Sequence, residues 1–417
     1  MKKTIYQIII LFLILSFGIS TISFCDDIDN EVIDVNAEIL SSSSAFNSKI
    51  TIPNTNSSSC VVIDRNTNTI LYGKNEKEKR KMASTTKIMT AIVIIENYNL
   101  DETIEISKKA AGTGGSRLGL KSGDKITIRD LLYGLMLRSG NDAAVALAEY
   151  ASGDIKEFAK LMNKKAIELN LVNTHFETPH GLDSDEHYTT AYELALLSNY
   201  ALNNKIFAQI VGTKEYTITI NGYPKQLSNT NELLGNLNGV YGIKTGFTNG
   251  ANRCLVTACK RNNMDIICVV LGADTKKFRT QDSIKLINYI FENFKTVNIK
   301  NLIDENFNNW KKENLNKITI NKGIYQNINF EIENINNPII PIRKDFINNI
   351  NIDICCPLYF EAPIHLNSQV GNINISVSDN LNFNFKIYNT SEIKHKSWNL
   401  YLFELFKNYP SILNNLI

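Results

Sequence analysis

Apolar positions along this chain change pattern several times, and each change predicts an element. Ile5–Phe17 is a mostly apolar run behind Lys2 and Lys3, followed by the small residues Gly18, Ser20 and Ser23. A basic start, an apolar middle and a small-residue end predict a secretory signal over 1–25, because the run is short of the roughly 20 residues of a membrane span. Cys25 follows the bulky Phe24, where a lipidated cysteine wants a small neighbour. Residues 26–55 are polar and finish in Ser/Asn-rich text, which reads as a linker.

From Ser59 the texture becomes that of a folded body. Cys60–Asp64 and Thr69–Tyr72 flank a turn-rich Arg65-Asn66-Thr67-Asn68 and predict a β-hairpin. Met82–Asn97 is apolar on most sides, with Ile88, Met89, Ile92 and Ile95 on one face, and predicts a centrally buried helix. Further helices are expected at Ile128–Leu137, Asp142–Tyr150, Ile155–Leu169 and Thr190–Leu202. The period then shortens. Tyr216–Ile220 alternates, and Cys254–Cys259 and Asp265–Leu271 form an apolar strand pair around Lys260-Arg261-Asn262-Asn263. Thr280–Phe294 returns to helical spacing. Beyond Val297 the text is dense in Asn and Ile, with short alternating runs at Lys317–Ile320, Ile328–Ile332, Asn349–Ile354, Val370–Val377 and Phe383–Ile387. These patterns predict an α+β body over 56–295, a small all-β domain over 296–390 and an amphipathic tail over 391–417. In the tail, Trp398, Leu402, Leu405, Tyr409, Ile412 and Leu416 recur at roughly helical spacing beside Lys394, Lys396 and Lys407, as in a helix lying on a membrane surface. The other reading packs this helix on its own domain, with Pro410 interrupting it.

Composition narrows the function. The 417 residues carry 44 Lys+Arg against 42 Asp+Glu, a net charge of +2. This near-neutral balance leaves no electrostatic footprint for nucleic acid. Seven cysteines include no CxxC pair, which argues against a zinc site. Cys254, Cys259 and Cys268 lie in strand-like apolar runs and read as small core residues. His175, His180 and His187 stand near Asp183 and Glu186, but their spacing matches no HExxH helix, so turn and core roles are expected.

Three short stretches carry candidate chemistry. Ser84-Thr85-Thr86-Lys87 opens the apolar helix and puts a hydroxyl and an amine on one helical face. A serine becomes a nucleophile when a base takes its proton. Burial and a cationic neighbour favour the neutral amine that can serve as that base, and a helix N-terminus offers backbone N–H groups to an oxyanion. Ser139-Gly140-Asn141, between two helices, adds a second hydroxyl and an amide. Lys244-Thr245-Gly246 adds a cation and a hydroxyl that suit a carboxylate, and a glycine that lets a substrate backbone approach a strand edge. Each is weak alone: Ser391–Lys394 repeats the first pattern, and Ser378-Asp379-Asn380 and Ser397-Trp398-Asn399 repeat the second. Their order is the signal. Ser84, Ser139 and Lys244 succeed one another at separations of 55 and 105 residues, whereas the repeats fall after Lys244-Thr245-Gly246.

In these motifs the chain resembles the low-molecular-mass penicillin-binding proteins, the serine-type D-alanyl-D-alanine carboxypeptidases of peptidase family S11. Ala83–Ala91, Thr178–Asp183, His187–Ala191, Lys244–Thr248 and Leu271-Gly272-Ala273 carry the likeness, over about residues 56–295. Asn252 departs from it, since the family commonly has glycine after Ala251. The resemblance implies a penicillin-binding transpeptidase-like catalytic domain, an antiparallel sheet flanked by helices plus a helical subdomain, followed by the small all-β domain. It implies that Ser84 forms an acyl-enzyme, Lys87 is its base and Ser139 relays protons. Asn141, Lys244, Thr245 and Gly246 would bind substrate, with Ser84 and Phe247 backbone N–H groups forming the oxyanion hole. Arg279 falls where a family arginine holds the substrate carboxylate. The implied substrate is the peptidoglycan stem peptide, the implied inhibitors are β-lactams, and no metal or cofactor is needed. The implied place of action is outside the cytoplasmic membrane, at the cell wall. A class A β-lactamase would need a glutamate and an asparagine four apart on a loop; at Asn170 that glutamate position is Ala166, in helical text. A wall-binding protein with a relic site would have lost one of the named side chains, and none is missing.

Overall fold

A computed structural model describes residues 33–42, 50–378 and 381–408. The secretory signal over 1–25, residues 26–32 and 43–49 of the polar stretch after it, and the tail from residue 409 lie outside the described residues; the rest of the expected linker carries a short helix, Val35–Ser42. The described chain divides into two compact units that meet in sequence at Ile290 and Phe291.

The first unit is built on a five-stranded antiparallel sheet. Its strands are β1 (Ser59–Asp64), β2 (Ile70–Lys74), β3 (Val240–Thr248), β4 (Asn252–Arg261) and β5 (Met264–Ala273), in the order β2-β1-β5-β4-β3. The hairpin expected from Cys60 to Tyr72 therefore forms one side of the sheet, and Lys244-Thr245-Gly246 lies on the opposite edge strand. An edge strand leaves one row of backbone groups unpaired, the requirement for adding a substrate strand. Cys254, Cys259 and Cys268 are buried in the sheet, the core role their apolar context predicts, and Cys60 is buried there as well.

The sheet packs against helices. Residues Ala83–Thr86 form a 3₁₀ turn that runs into α1 (Lys87–Asn97), in which every residue from Lys87 to Ile95 is buried. That complete burial is what apolar residues on most faces demand. Around it stand α2 (Ile128–Leu137), α3 (Asn141–Ser152), α4 (Ile155–Glu168), α5 (Ala191–Leu202) and α6 (Lys205–Val211). Thr127 caps α2 by accepting from Asp130 N at 3.1 Å, and Thr190 caps α5 by accepting from Glu193 N at 3.1 Å. α7 (Lys276–Asn293) follows β5 and starts one turn earlier than its apolar pattern suggested.

The α+β class holds, and the second unit adds an element the text did not reveal. Four of its strands, β6 (Phe330–Ile332), β7 (Asn351–Cys355), β8 (Gln369–Ser378) and β9 (Leu381–Asn389), pair antiparallel in the order β6-β9-β8-β7. Ahead of them runs the helix α8 (Ile299–Asn314), so this unit is not all-β. Ile299, Ile303 and Phe307 recur at helical spacing and join Ile373, Ile375 and Ile387 in one core. Five asparagines in that helix obscured its period, because asparagine favours turns over helix interiors. A last helix, α9 (Trp398–Asn408), exposes Trp398 and Phe403.

Candidate active site

The site grows from the 3₁₀ turn that presents Ser84. Lys87 is the first residue of α1 and is wholly buried. Its Nζ lies 2.6 Å from Ser84 Oγ, 2.8 Å from Asn141 Oδ1 and 2.9 Å from the carbonyl oxygen of His180. Two carbonyl-type oxygens can take two N–H bonds of an amine, which leaves a lone pair facing the serine hydroxyl.

Asn141 is held in turn. It is the first residue of α3; its N donates to the Ser116 carbonyl at 2.7 Å and its Nδ2 to the Gly114 carbonyl at 2.8 Å. Beside it, Ser139 sits in the left-handed region at φ 59, and its buried Oγ has no hydrogen-bond partner. Ala83, just before the nucleophile, has φ 47. A left-handed conformation at a non-glycine residue costs of order 1–3 kcal/mol, so strain flanks both hydroxyls.

The edge strand β3 completes the site. Lys244 is buried, with its Nζ donating to the Thr245 carbonyl at 2.9 Å, and Thr245 Oγ1 lies 2.9 Å from Thr230 Oγ1. A side chain at Gly246 would meet Ser84 N at 3.1 Å and Ala83 Cβ at 3.2 Å. The glycine therefore lets β3 lie against the nucleophile's turn, a closer reason for its presence than substrate approach. Ser139, Thr245, Gly246, Phe247 and Arg279 line one cleft. Arg253 places its guanidinium 4.3 Å from the centroid of the half-buried Phe247 ring. Asn252 has φ 54, where glycine is at ease and asparagine is tolerated, so the departure at this position keeps the same turn.

Several contributors were not legible as functional. His180 lends its backbone carbonyl to Lys87 rather than its ring. Burial pushes the His180 imidazole down to about 3 and His187 down to about 4. Glu177 N donates to His187 Nδ1 at 3.0 Å, which places the ring proton on Nε2, 2.8 Å from Thr86 Oγ1. Gly181 has φ 86, and a Cβ there would collide with the Ala83 carbonyl. Asp183 accepts from Thr248 Oγ1 at 2.6 Å and from Gly250 N at 2.8 Å. The Thr178–Asp183 stretch is thus the packing wedge beneath the nucleophile turn. Asp142 is buried and accepts from Leu118 N at 2.7 Å, Gly119 N at 2.8 Å and Leu120 N at 3.0 Å. Only the polar residue after Ser139-Gly140-Asn141 hinted at it. Ala166 is buried within α4, so no carboxylate stands at the position a class A β-lactamase would use.

Known proteins carry the same organisation. The family model described as D-alanyl-D-alanine carboxypeptidase matches residues 47–275. The chain belongs to that family. It is 34% identical over 323 residues to the D-alanyl-D-alanine carboxypeptidase DacF of Bacillus subtilis, covering 76% of this chain and 80% of the relative. It is 39% identical over 247 residues to a D-alanyl-D-alanine carboxypeptidase of a Streptomyces species, covering 55% of this chain and 85% of that one. Among solved structures, the D-alanyl-D-alanine carboxypeptidase DacD of Francisella tularensis superposes with a TM-score of 0.66 at 26% identity, over 84% of this chain and 98% of that one. The Streptomyces K15 DD-transpeptidase superposes with a TM-score of 0.56 at 36% identity, over 58% of this chain and all (100%) of that one. For a member of this family, the cleft along β3, lined by Ser139, Thr245 and Phe247, is where an acyl-transfer site is to be sought.

Proposed function

We propose that the protein is an exported D-alanyl-D-alanine carboxypeptidase that removes the terminal D-alanine from peptidoglycan stem pentapeptides and is inhibited by β-lactams. The observation that carries this reading is the buried Lys87 amine 2.6 Å from Ser84 Oγ, with the unpartnered Ser139 hydroxyl in the adjoining cleft. Lys87 takes the proton as Ser84 Oγ attacks the carbonyl of the penultimate D-alanine. Ser139 passes a proton to the leaving amine, D-alanine departs, and water then hydrolyses the ester. Asn141 orients the peptide, Lys244, Thr245 and Arg279 draw in the terminal carboxylate, and the Ser84 and Phe247 N–H groups hold the oxyanion. A β-lactam acylates the same serine.

Incubation with a fluorescent penicillin is expected to label the wild-type protein covalently and to leave Ser84→Ala unlabelled, while wild type releases D-alanine from a pentapeptide. Equal labelling of the two proteins would sink the assignment of Ser84.

The apolar residues exposed on α9 support attachment of the C-terminal segment to the membrane surface. Among the described residues, no helix is long and apolar enough to cross a membrane. Deleting residues 394–417 is expected to move the protein out of the membrane fraction, and unchanged fractionation would refute the attachment.

A further inference from the structure

Arg279 reaches the cleft from α7, but it does not stand alone there. Its Nη2 lies 3.0 Å from Glu232 Oε1 and 2.8 Å from Glu232 Oε2. Lys276, one helical turn earlier, places Nζ 2.8 Å from Glu232 Oε1. Burial alone would raise the Glu232 carboxyl, yet the two cations outweigh it and hold the group below its usual range. The segment bearing Glu232 is itself fixed. Thr230 N donates to the Leu137 carbonyl at 3.1 Å, Asn229 Nδ2 donates to the Thr213 carbonyl at 3.0 Å, and Leu233 N donates to Asn231 Oδ1 at 3.2 Å. Two residues before Glu232, Thr230 meets Thr245 across 2.9 Å. One short segment therefore touches two of the three side chains, Thr245 and Arg279, that the proposed function sets against the substrate's carboxylate.

We infer that Glu232 is a positioning residue: it clamps the Arg279 guanidinium by Nη2, so that the preference for a substrate ending in a free carboxylate depends on it. The inference rests on the carboxypeptidase reading. Arg279 is buried, its Nε has no hydrogen-bond partner, and besides Glu232 its Nη2 reaches Thr280 Oγ1 at a long 3.5 Å, so Glu232 is the stronger constraint on the direction of its charge. A guanidinium released from its clamp spreads over several rotamers, and a carboxylate must then order it on binding. Glu232 carries this constraint at the cost of one negative charge in the cleft, which Lys276 offsets.

The test is a double-mutant cycle on Glu232→Ala, Arg279→Ala and the double variant. Each is assayed on a D-Ala-D-Ala peptide with a free C-terminus and on the same peptide as its C-terminal amide. Glu232→Ala is expected to raise KM for the free-acid peptide about 10-fold, with kcat within about two-fold, and to shrink the acid-over-amide preference. In the Arg279→Ala background, removing Glu232 is expected to change neither. Glu232→Gln keeps the side chain's volume and serves if the alanine variant does not fold; it too is expected to weaken the preference. A preference unchanged in every Glu232 variant would overturn the inference. So would a lower KM, because Glu232 would then be a resident competitor of the substrate carboxylate. Acylation rates with a penicillin and with its methyl ester give the same comparison without D-alanine release. A wild-type protein that releases no D-alanine would remove the proposed activity while the penicillin arm still decides the role of Glu232; failure of both reactions would remove both.

Discussion

Lys87→Met is expected to lower the acylation rate of Ser84 by a fluorescent penicillin by about 10³-fold or more, in line with losing a positioned general base. Methionine fills much of the same buried volume but has no lone pair on nitrogen for the serine proton. The His180 carbonyl and Asn141 Oδ1 each lose a donor at 2.9 Å and 2.8 Å. An unsatisfied buried acceptor costs about 1–3 kcal/mol, so the melting temperature is expected to fall by several degrees and the fold to survive. Circular dichroism and thermal melting separate the two effects. A variant that folds and still acylates within about 10-fold of wild type would show that the proton goes elsewhere, with Ser139 as the remaining hydroxyl.

Asp142→Ala is expected to be the most damaging substitution for stability outside the apolar core. Its carboxylate satisfies the backbone N–H groups of Leu118, Gly119 and Leu120, which face inward from a loop. Hydrogen bonds to a charged group contribute about 1.5–3 kcal/mol each, and they share one cause here, so a loss of about 3–5 kcal/mol follows. For a unit of this size that corresponds to a melting temperature lower by roughly 6–15 °C. Function should suffer beyond folding. The same loop offers the Ser116 and Gly114 carbonyls to Asn141, so freeing it loosens the amide that faces Lys87. Acylation measured well below the melting temperature should slow even where the protein is folded. A melting temperature within about 2 °C of wild type would show that water or another side chain replaces the carboxylate.

Much of this architecture was legible along the chain because its signals are local. The run around Ile88, Met89 and Ile92 has apolar residues on most faces, and no folding environment other than the centre accommodates such a helix. The strand pair Cys254–Cys259 and Asp265–Leu271 announced itself through two apolar runs around a polar turn, and β4 and β5 extend that pair. The family resemblance implies a substrate-holding role for Arg279, and in the fold Arg279 lines the same cleft as Ser139 and Thr245. Its partner Glu232 was not foreseen, because a glutamate in a polar loop carries no signal until the helix bearing Lys276 and Arg279 is folded beside it. α8 was missed for a different reason: its asparagines diluted a period that Ile299, Ile303 and Phe307 express only against their sheet.

Sequence order by itself named the side chains that the proposed acyl transfer would use: a hydroxyl and an amine one helical turn apart, a second hydroxyl with an amide, and a cation with a hydroxyl and a glycine. Residue type and local periodicity are properties of short segments, so they survive without a fold. Tertiary structure alone decided that Asn141 and the His180 carbonyl share Lys87, that β3 is an edge strand resting on the Ser84 turn through Gly246, and that Glu232 holds Arg279. Those contacts join positions 47 to 162 residues apart, from Arg279–Glu232 to Gly246–Ser84. Only burial in a common core brings such groups within hydrogen-bonding distance, and no local pattern encodes which of them will meet.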